Sequence, residues 1–137
     1  MAESLHTRTL SVTIERDWRE VYDFACQPLN FPRWASGLAD SLHEAGDHWV
    51  AAAPEGQAKV WFSPRNDYGV LDHHVELPGG VRLYIPLRVI ANGDSAEVML
   101  TVFRQPGADD AAFARDAKWV AKDLQALKTL LEKTGLR

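Results

Sequence analysis

The side chains best suited to chemistry in this sequence are two adjacent histidines, His73 and His74. They stand in a run in which apolar and polar residues alternate, the pattern of a half-buried strand. Because successive side chains of a strand point to opposite faces, His73 shares the apolar face and His74 shares the polar face. The predicted inward residues are Leu71, His73, Val75 and Leu77, and the predicted outward residues are Asp72, His74 and Glu76.

An inward histidine has two interpretations. Histidine titrates near neutral pH, so His73 is our candidate catalytic residue, able to act as a general acid or base or to orient a ligand. The alternative is a core histidine whose ring is hydrogen-bonded to backbone or water. The sequence leaves both interpretations open.

The same residues do not predict a metal site or a nucleophile. His73 and His74 point to opposite faces and cannot readily share an ion, while the outward set Asp72, His74 and Glu76 is typical of a solvated strand face. Cys26 has no activating base nearby in the sequence, so we expect a small buried thiol. We predict no metal and no cofactor.

Alternation also assigns faces in two neighbouring strands, predicted over residues 58–64 and 81–89. The polar positions of both segments are expected to face water. The predicted outward residues of these strands include Trp61 and Tyr84, and the predicted inward residues are Val60, Phe62, Val81, Leu83, Ile85, Leu87 and Val89.

The elements that would position these residues follow from periodicity and turn signals. A strand is predicted over residues 5–16, followed by a short helix that Asp17 caps. A second short helix is predicted over residues 30–38, with its first residue, an asparagine, as the cap and Gly37 near its end. Short strands separated by Gly and Pro turns follow, and a stripe of apolar residues predicts a helix over residues 109–134 that ends near Gly135.

Composition narrows the function classes. The chain has 137 residues, 46% of them hydrophobic and 25% charged, which suits one globular core. A net charge of −4 without clustered Lys or Arg does not favour nucleic acid. There is no signal-peptide pattern, no apolar run near the ~20 residues that span a bilayer, and one cysteine. We expect one domain over residues 1–137 and a cytoplasmic protein that is a monomer or a homodimer. We expect no nucleic acid partner and no membrane span.

The segment VTIERDWREVYDFACQPLNFPRWASGL resembles the START-related, polyketide cyclase-like (SRPBCC) superfamily, and Asn30, Pro32 and Trp34 match its Asn-x-Pro-x-Trp pattern. The strand around His73 and the turn 92–94 resemble an uncharacterised bacterial branch. The resemblance implies an α+β helix-grip fold, in which the chain forms one strand, two short helices and then six more strands. The seven strands make one curved antiparallel sheet. That sheet would wrap a long C-terminal helix and enclose an internal cavity.

The resemblance also implies functions, because the superfamily includes lipid carriers, aromatase/cyclases, hormone receptors and chaperone activators. Our leading hypothesis is a binding protein for a small hydrophobic or aromatic molecule, held between the sheet and the C-terminal helix. The alternatives are a cofactor-independent polyketide cyclase or dehydratase, and a chaperone-activator-like interaction module. The predicted ligand-binding residues are Phe31, Trp34, Trp49, Phe62, His73, Leu83, Ile85, Phe113 and Val120.

Overall fold

A long C-terminal helix packs against a curved antiparallel sheet, and two short helices lie between the first and second strands. The structure, a computed structural model, describes residues 3–35, 42–53 and 55–133. No helix in this part of the chain is long and apolar enough to cross a membrane. The elements are β1 Thr7–Ile14, α1 Trp18–Ala25, a 3-10 helix Pro28–Arg33, β2 His43–Ala45, β3 His48–Ala53, β4 Gly56–Phe62, β5 His73–Glu76, β6 Arg82–Ile85, β7 Leu87–Asn92, β8 Ser95–Phe103 and α2 Asp110–Lys133.

The strands form a five-stranded sheet in the order β2-β3-β4-β5-β6 and a three-stranded sheet in the order β1-β8-β7. Two backbone hydrogen bonds connect β7 to the segment that leads into β5: the Leu71 N–H donates to the Leu87 carbonyl at 2.8 Å, and the Val89 N–H donates to the Gly69 carbonyl at 2.9 Å. The two sheets are therefore joined next to each other at this point.

The described residues form one strand more than the seven predicted, because the strand predicted over residues 81–89 divides at Pro86 into β6 and β7. Proline has no N–H to donate, so it interrupts a hydrogen-bonded ladder. Each half then pairs with a different neighbour, β6 with β5 and β7 with β8. The residue before β6, Val81, was predicted inward with this strand but lies outside it and is exposed.

The first short helix begins as predicted. The Asp17 carboxylate accepts the Arg19 N–H at 3.0 Å, which satisfies one of the free N–H groups at the start of α1. Val21 and Ala25 then point into the core. The cap and the apolar face together orient α1 toward the sheet.

The second short helix differs from its prediction. It is a 3-10 helix that begins at Pro28, two residues before the predicted cap Asn30. The Asn30 side-chain amide instead donates to the Phe24 carbonyl at 3.0 Å, so it closes the end of α1. The predicted end near Gly37 lies outside the described residues.

The core between α2 and the sheet follows the predicted apolar stripe. Leu124, Leu127 and Leu131 are fully or almost fully buried, and α2 packs mainly on β1. Burying one leucine side chain contributes about 1.5–3 kcal/mol to folding. The stripe therefore holds α2 against β1 and β8. The predicted stop at Gly135 lies outside the described residues.

Candidate functional site

A small cavity lies beneath the short helices, where they meet β4, β5 and β7. Its volume is about 10 Å³, roughly the space that one water molecule needs. Both short helices contribute a residue at their C-terminal end, and the strands contribute the opposite wall. The lining residues are Ala25, Cys26, Phe31, Trp34, Phe62, Ser63, Leu71, His73 and Leu87.

The position of this cavity differs from the expectation of a space between the sheet and the C-terminal helix. Among the described residues of α2, none lines it. The reason is packing, since Leu124, Leu127 and Leu131 pack into the core cluster between helix and sheet. The enclosed space is left to one side, under the short helices.

An aromatic cluster forms one wall of the cavity. The Phe31 ring lies at the centre of the cluster, with its centroid 5.5 Å from Trp34, 5.3 Å from Phe62 and 5.4 Å from His73. All three contacts are edge-on, the arrangement that aromatic quadrupoles favour. The Phe62 and His73 rings are 5.9 Å apart. Four of the nine predicted ligand-binding residues therefore come together.

The other five predicted ligand-binding residues do not line the cavity. Four of them are half-buried and pack against the core, and Ile85 lies directly opposite His73 in the sheet register. Phe113, near the start of α2, contacts the His6 ring at 5.5 Å and lies outside the aromatic cluster. The four that pack on the core are Trp49, Leu83, Ile85 and Val120.

Sequence reasoning did not assign five of the lining residues to the site. The alternation pattern could have identified Leu71 and Leu87 as lining residues, because it placed both on the inner face. Ser63 follows the end of β4, where alternation no longer applies, and its contribution depends on the pairing of distant strands. The remaining two, Ala25 and Cys26, stand at the end of α1.

His73 is 4% exposed, and the structure confirms its predicted inward direction. Its Nδ1 lies 3.0 Å from the Leu71 carbonyl oxygen. A carbonyl can only accept, so Nδ1 carries the proton and Nε2 of the neutral ring is an acceptor. Burial lowers the pKa of His73 below its ordinary 6.5, and this outweighs the opposing effect of the Leu71 carbonyl. The ring is therefore neutral at neutral pH.

Trp34 adds a donor to the same cavity. The residue is 4% exposed, and its indole Nε1 has no hydrogen-bond partner among the described residues. A buried N–H without a partner costs about 1–3 kcal/mol. The cavity thus brings together a buried donor without an acceptor and a histidine whose Nε2 is an acceptor.

Two weaker polar groups complete the lining. The Ser63 hydroxyl donates to the Asp72 carbonyl at 2.6 Å. The Cys26 thiol lies 3.2 Å from a guanidinium nitrogen of Arg65, which also pairs with Asp23. Cys26 is half-buried rather than buried as expected, yet burial raises the pKa of its thiol, so the thiol is protonated and a poor nucleophile.

The outer face of the sheet carries the residues predicted to point outward. Trp61, His74 and Tyr84 are directly opposite one another on β4, β5 and β6. Tyr84 is 44% exposed and stacks on His74 at 5.0 Å, while the Arg82 guanidinium lies 4.3 Å from the centre of the Trp61 ring. These rings therefore form a mixed aromatic and charged row.

The carboxylates of this face are paired with cations. Asp72 accepts two hydrogen bonds from Arg88, at 2.8 and 2.7 Å, and these hydrogen bonds lower the pKa of Asp72. A carboxylate oxygen of Glu76 lies 3.8 Å from the ammonium nitrogen of Lys59. The face that carries Asp72, His74 and Glu76 is thus organised by ion pairs and ring stacking.

No family model matches the chain, and no curated protein matches it. Solved structures do match. A START superfamily protein from Mycobacterium smegmatis has a TM-score of 0.71 at 9% identity, over 93% of this chain and 98% of that one. The Aha1 dimer from Colwellia psychrerythraea has a TM-score of 0.69 at 13% identity, over 93% of this chain and 97% of that one.

A third similar structure is the di-domain ARO/CYC BexL from the BE-7585A biosynthetic pathway, with a TM-score of 0.66 at 19% identity. The match covers 93% of this chain and 47% of that chain. At such identities the likeness establishes the fold. The chain has the START-like helix-grip fold that the sequence predicts.

Proposed function

We propose that this protein binds a small, largely apolar molecule at the aromatic cluster of Phe31, Trp34, Phe62 and His73. The observation that carries the proposal is a neutral, buried histidine with an acceptor nitrogen, enclosed by the rings of Phe31 and Phe62. Apolar walls with a few positioned polar groups are typical of small-molecule sites. The likeness to a START superfamily protein supports the same function class.

The volume of the cavity determines how a ligand would enter. About 10 Å³ holds a single water molecule, so an aromatic ligand must displace side chains of the cluster. Phe62 and His73 are fixed by pairing between β4 and β5, whereas Phe31 belongs to the 3-10 helix and Trp34 follows it. A 3-10 helix has weaker hydrogen-bond geometry than an α-helix. We therefore infer that Phe31 and Trp34 move when the ligand binds.

The first experiment is a native mass spectrum of freshly purified protein compared with its denatured mass. A discrete extra mass would identify a carried ligand, and the same spectrum would distinguish monomer from homodimer. A thermal-shift screen of apolar and aromatic compounds follows, because a ligand that binds the folded state raises the melting temperature. No extra mass together with no saturable shift would contradict the proposal.

One observation favours a second candidate function, a cofactor-independent cyclase or dehydratase. The Nε2 of neutral His73 is available as a proton acceptor, which a general base requires. The likeness to the ARO/CYC protein BexL supports the same class. Poly-β-ketone substrates would be incubated with wild type and with H73Q. A product distribution that the wild type leaves unchanged would exclude this function.

A further inference from the structure

We propose that the cavity between Trp34 and His73 selects ligands by a neutral hydroxyl group, that of an alcohol or a phenol. This inference rests on the proposed function, because it specifies the polar end of the ligand that the aromatic cluster would bind. It follows from three properties of the cavity: its hydrogen-bonding groups, its size and its lack of formal charge.

The hydrogen-bonding groups require a partner that both accepts and donates. Among the described residues the Trp34 indole N–H finds no acceptor, and the Nε2 of His73 is an acceptor because Nδ1 donates to the Leu71 carbonyl. A hydroxyl oxygen accepts one hydrogen bond and donates another through a single atom. An ether, a carbonyl or a carboxylate only accepts, and an ammonium only donates, so each of these can pair with only one of the two groups.

The size of the cavity fits one oxygen atom. A volume of about 10 Å³ accommodates a hydroxyl group in the place of one water molecule. The remainder of the ligand would then lie among the rings of Phe31, Trp34 and Phe62. The centroid of the Phe31 ring is 5.5 Å from that of Trp34 and 5.3 Å from that of Phe62. The polar end therefore enters the cavity, and the apolar part replaces ring contacts.

The electrostatics of the cavity disfavour a charged ligand. None of the described lining residues is an Asp, Glu, Lys or Arg. The Arg65 guanidinium contacts Cys26, but it is paired with Asp23 and is largely exposed. An ionised carboxylate would lose its hydration without gaining a counter-ion. A neutral hydroxyl group avoids that cost.

The test compares three probes of similar shape on the wild-type protein at pH 7.5: phenol, anisole and toluene. Phenol is neutral at this pH, anisole only accepts a hydrogen bond, and toluene does neither. We expect phenol to bind roughly tenfold more tightly than either, which corresponds to about 1.4 kcal/mol. The indole N–H resonance of Trp34, assigned by its loss in W34F, should move downfield with phenol and much less with toluene.

Matched variants locate the preference. W34F and H73F each remove one of the two partners of the hydroxyl group, so the phenol affinity should fall toward that of toluene in each variant. W49F changes a half-buried tryptophan that does not line the cavity, and it should retain the preference. Because the probe comparison uses wild type, the test does not depend on the variants folding.

The possible outcomes separate this inference from the proposed function. Equal binding of phenol and toluene at the aromatic cluster would overturn the hydroxyl selectivity and leave apolar binding standing. Tighter binding of anisole than of phenol would also overturn it. If no probe perturbs Trp34 or His73, both the selectivity and the proposed site are wrong.

Discussion

The imidazole of His73 is enclosed by Phe31 and Phe62, and its Nδ1 donates to the Leu71 carbonyl. This environment keeps the ring neutral, because a charged imidazolium would be buried without a carboxylate on the same face. The neighbouring Asp72 points to the other side of the sheet, where it is paired with Arg88. The neutral state is thus a property of strand alternation as much as of burial.

We predict that folding stability falls as the pH drops below 6.5. The unfolded chain protonates His73 near 6.5, whereas the folded chain protonates it only at lower pH because burial lowers the pKa of His73. Protons therefore favour the unfolded state below 6.5, by about 1.4 kcal/mol per pH unit until the folded-state pKa is reached. Above 6.5 the contribution is constant. Urea unfolding at pH 5.5, 6.5 and 7.5 measures the effect.

The control for this prediction is the adjacent histidine. H73F should lose this part of the pH dependence, while H74Q should keep it, since His74 is exposed on the opposite face. Equal pH dependence in wild type and H73F between pH 5.5 and 7.5 would contradict the assignment.

At the scale of elements, the junction at Pro86 determines how the two sheets join. Proline ends the ladder between β5 and β6, and the Asp72 carboxylate then accepts the next backbone N–H, that of Leu87, at 2.9 Å. The same carboxylate accepts two hydrogen bonds from Arg88. One side chain therefore bridges β5 and β7 where the backbone ladder is interrupted.

We predict that D72N lowers the free energy of unfolding by about 1–3 kcal/mol, because the half-buried acceptor loses the charge that strengthens its hydrogen bonds to Arg88 and Leu87. The matched control is E76Q on the same face, whose 3.8 Å ion pair with Lys59 is partly exposed. Its effect should stay within about 0.5 kcal/mol. Urea unfolding of both variants at pH 7.5 measures the difference, and equal effects would show that Asp72 does not hold the junction.

Local patterns predicted the elements better than their junctions. Alternation placed His73 inward and His74 outward, and the Asp17 cap and the α2 stripe are equally local. The division at Pro86 was not predicted, because Asp72 and Leu87 meet only through strand pairing. The early start of the 3-10 helix was not predicted either. The Asn30 side-chain amide donates to the Phe24 carbonyl of the preceding helix instead of capping a helix that begins at Asn30.

The candidate site was predicted in part for the same reason. Phe31, Trp34, Phe62 and His73 were assigned from face and family pattern, and they do come together. Their enclosure under the short helices could not be predicted, because it depends on how completely the leucines of α2 fill the opposite side. A periodic stripe indicates which side chains point inward, but it does not give the space left between them.

At the scale of the whole molecule, the helix that stabilises the sheet does not line the candidate site. The leucines of α2 belong to the same core cluster as Phe31 and Trp34, but the cavity is lined by α1, the 3-10 helix and three strands. Truncating a leucine of α2 should therefore affect stability more than ligand affinity.

We predict that L127A lowers the free energy of unfolding by about 2–5 kcal/mol, because Leu127 is fully buried and its truncation leaves a cavity. The control on the same helix is K118A, an exposed position expected to change it by less than about 0.5 kcal/mol. Under conditions where both variants are folded, the affinity for phenol should stay within roughly threefold of wild type, since α2 does not line the cavity. Calorimetric unfolding and a probe titration measure the two quantities. A large loss of phenol affinity in L127A, but not in K118A, would instead place the binding site against α2.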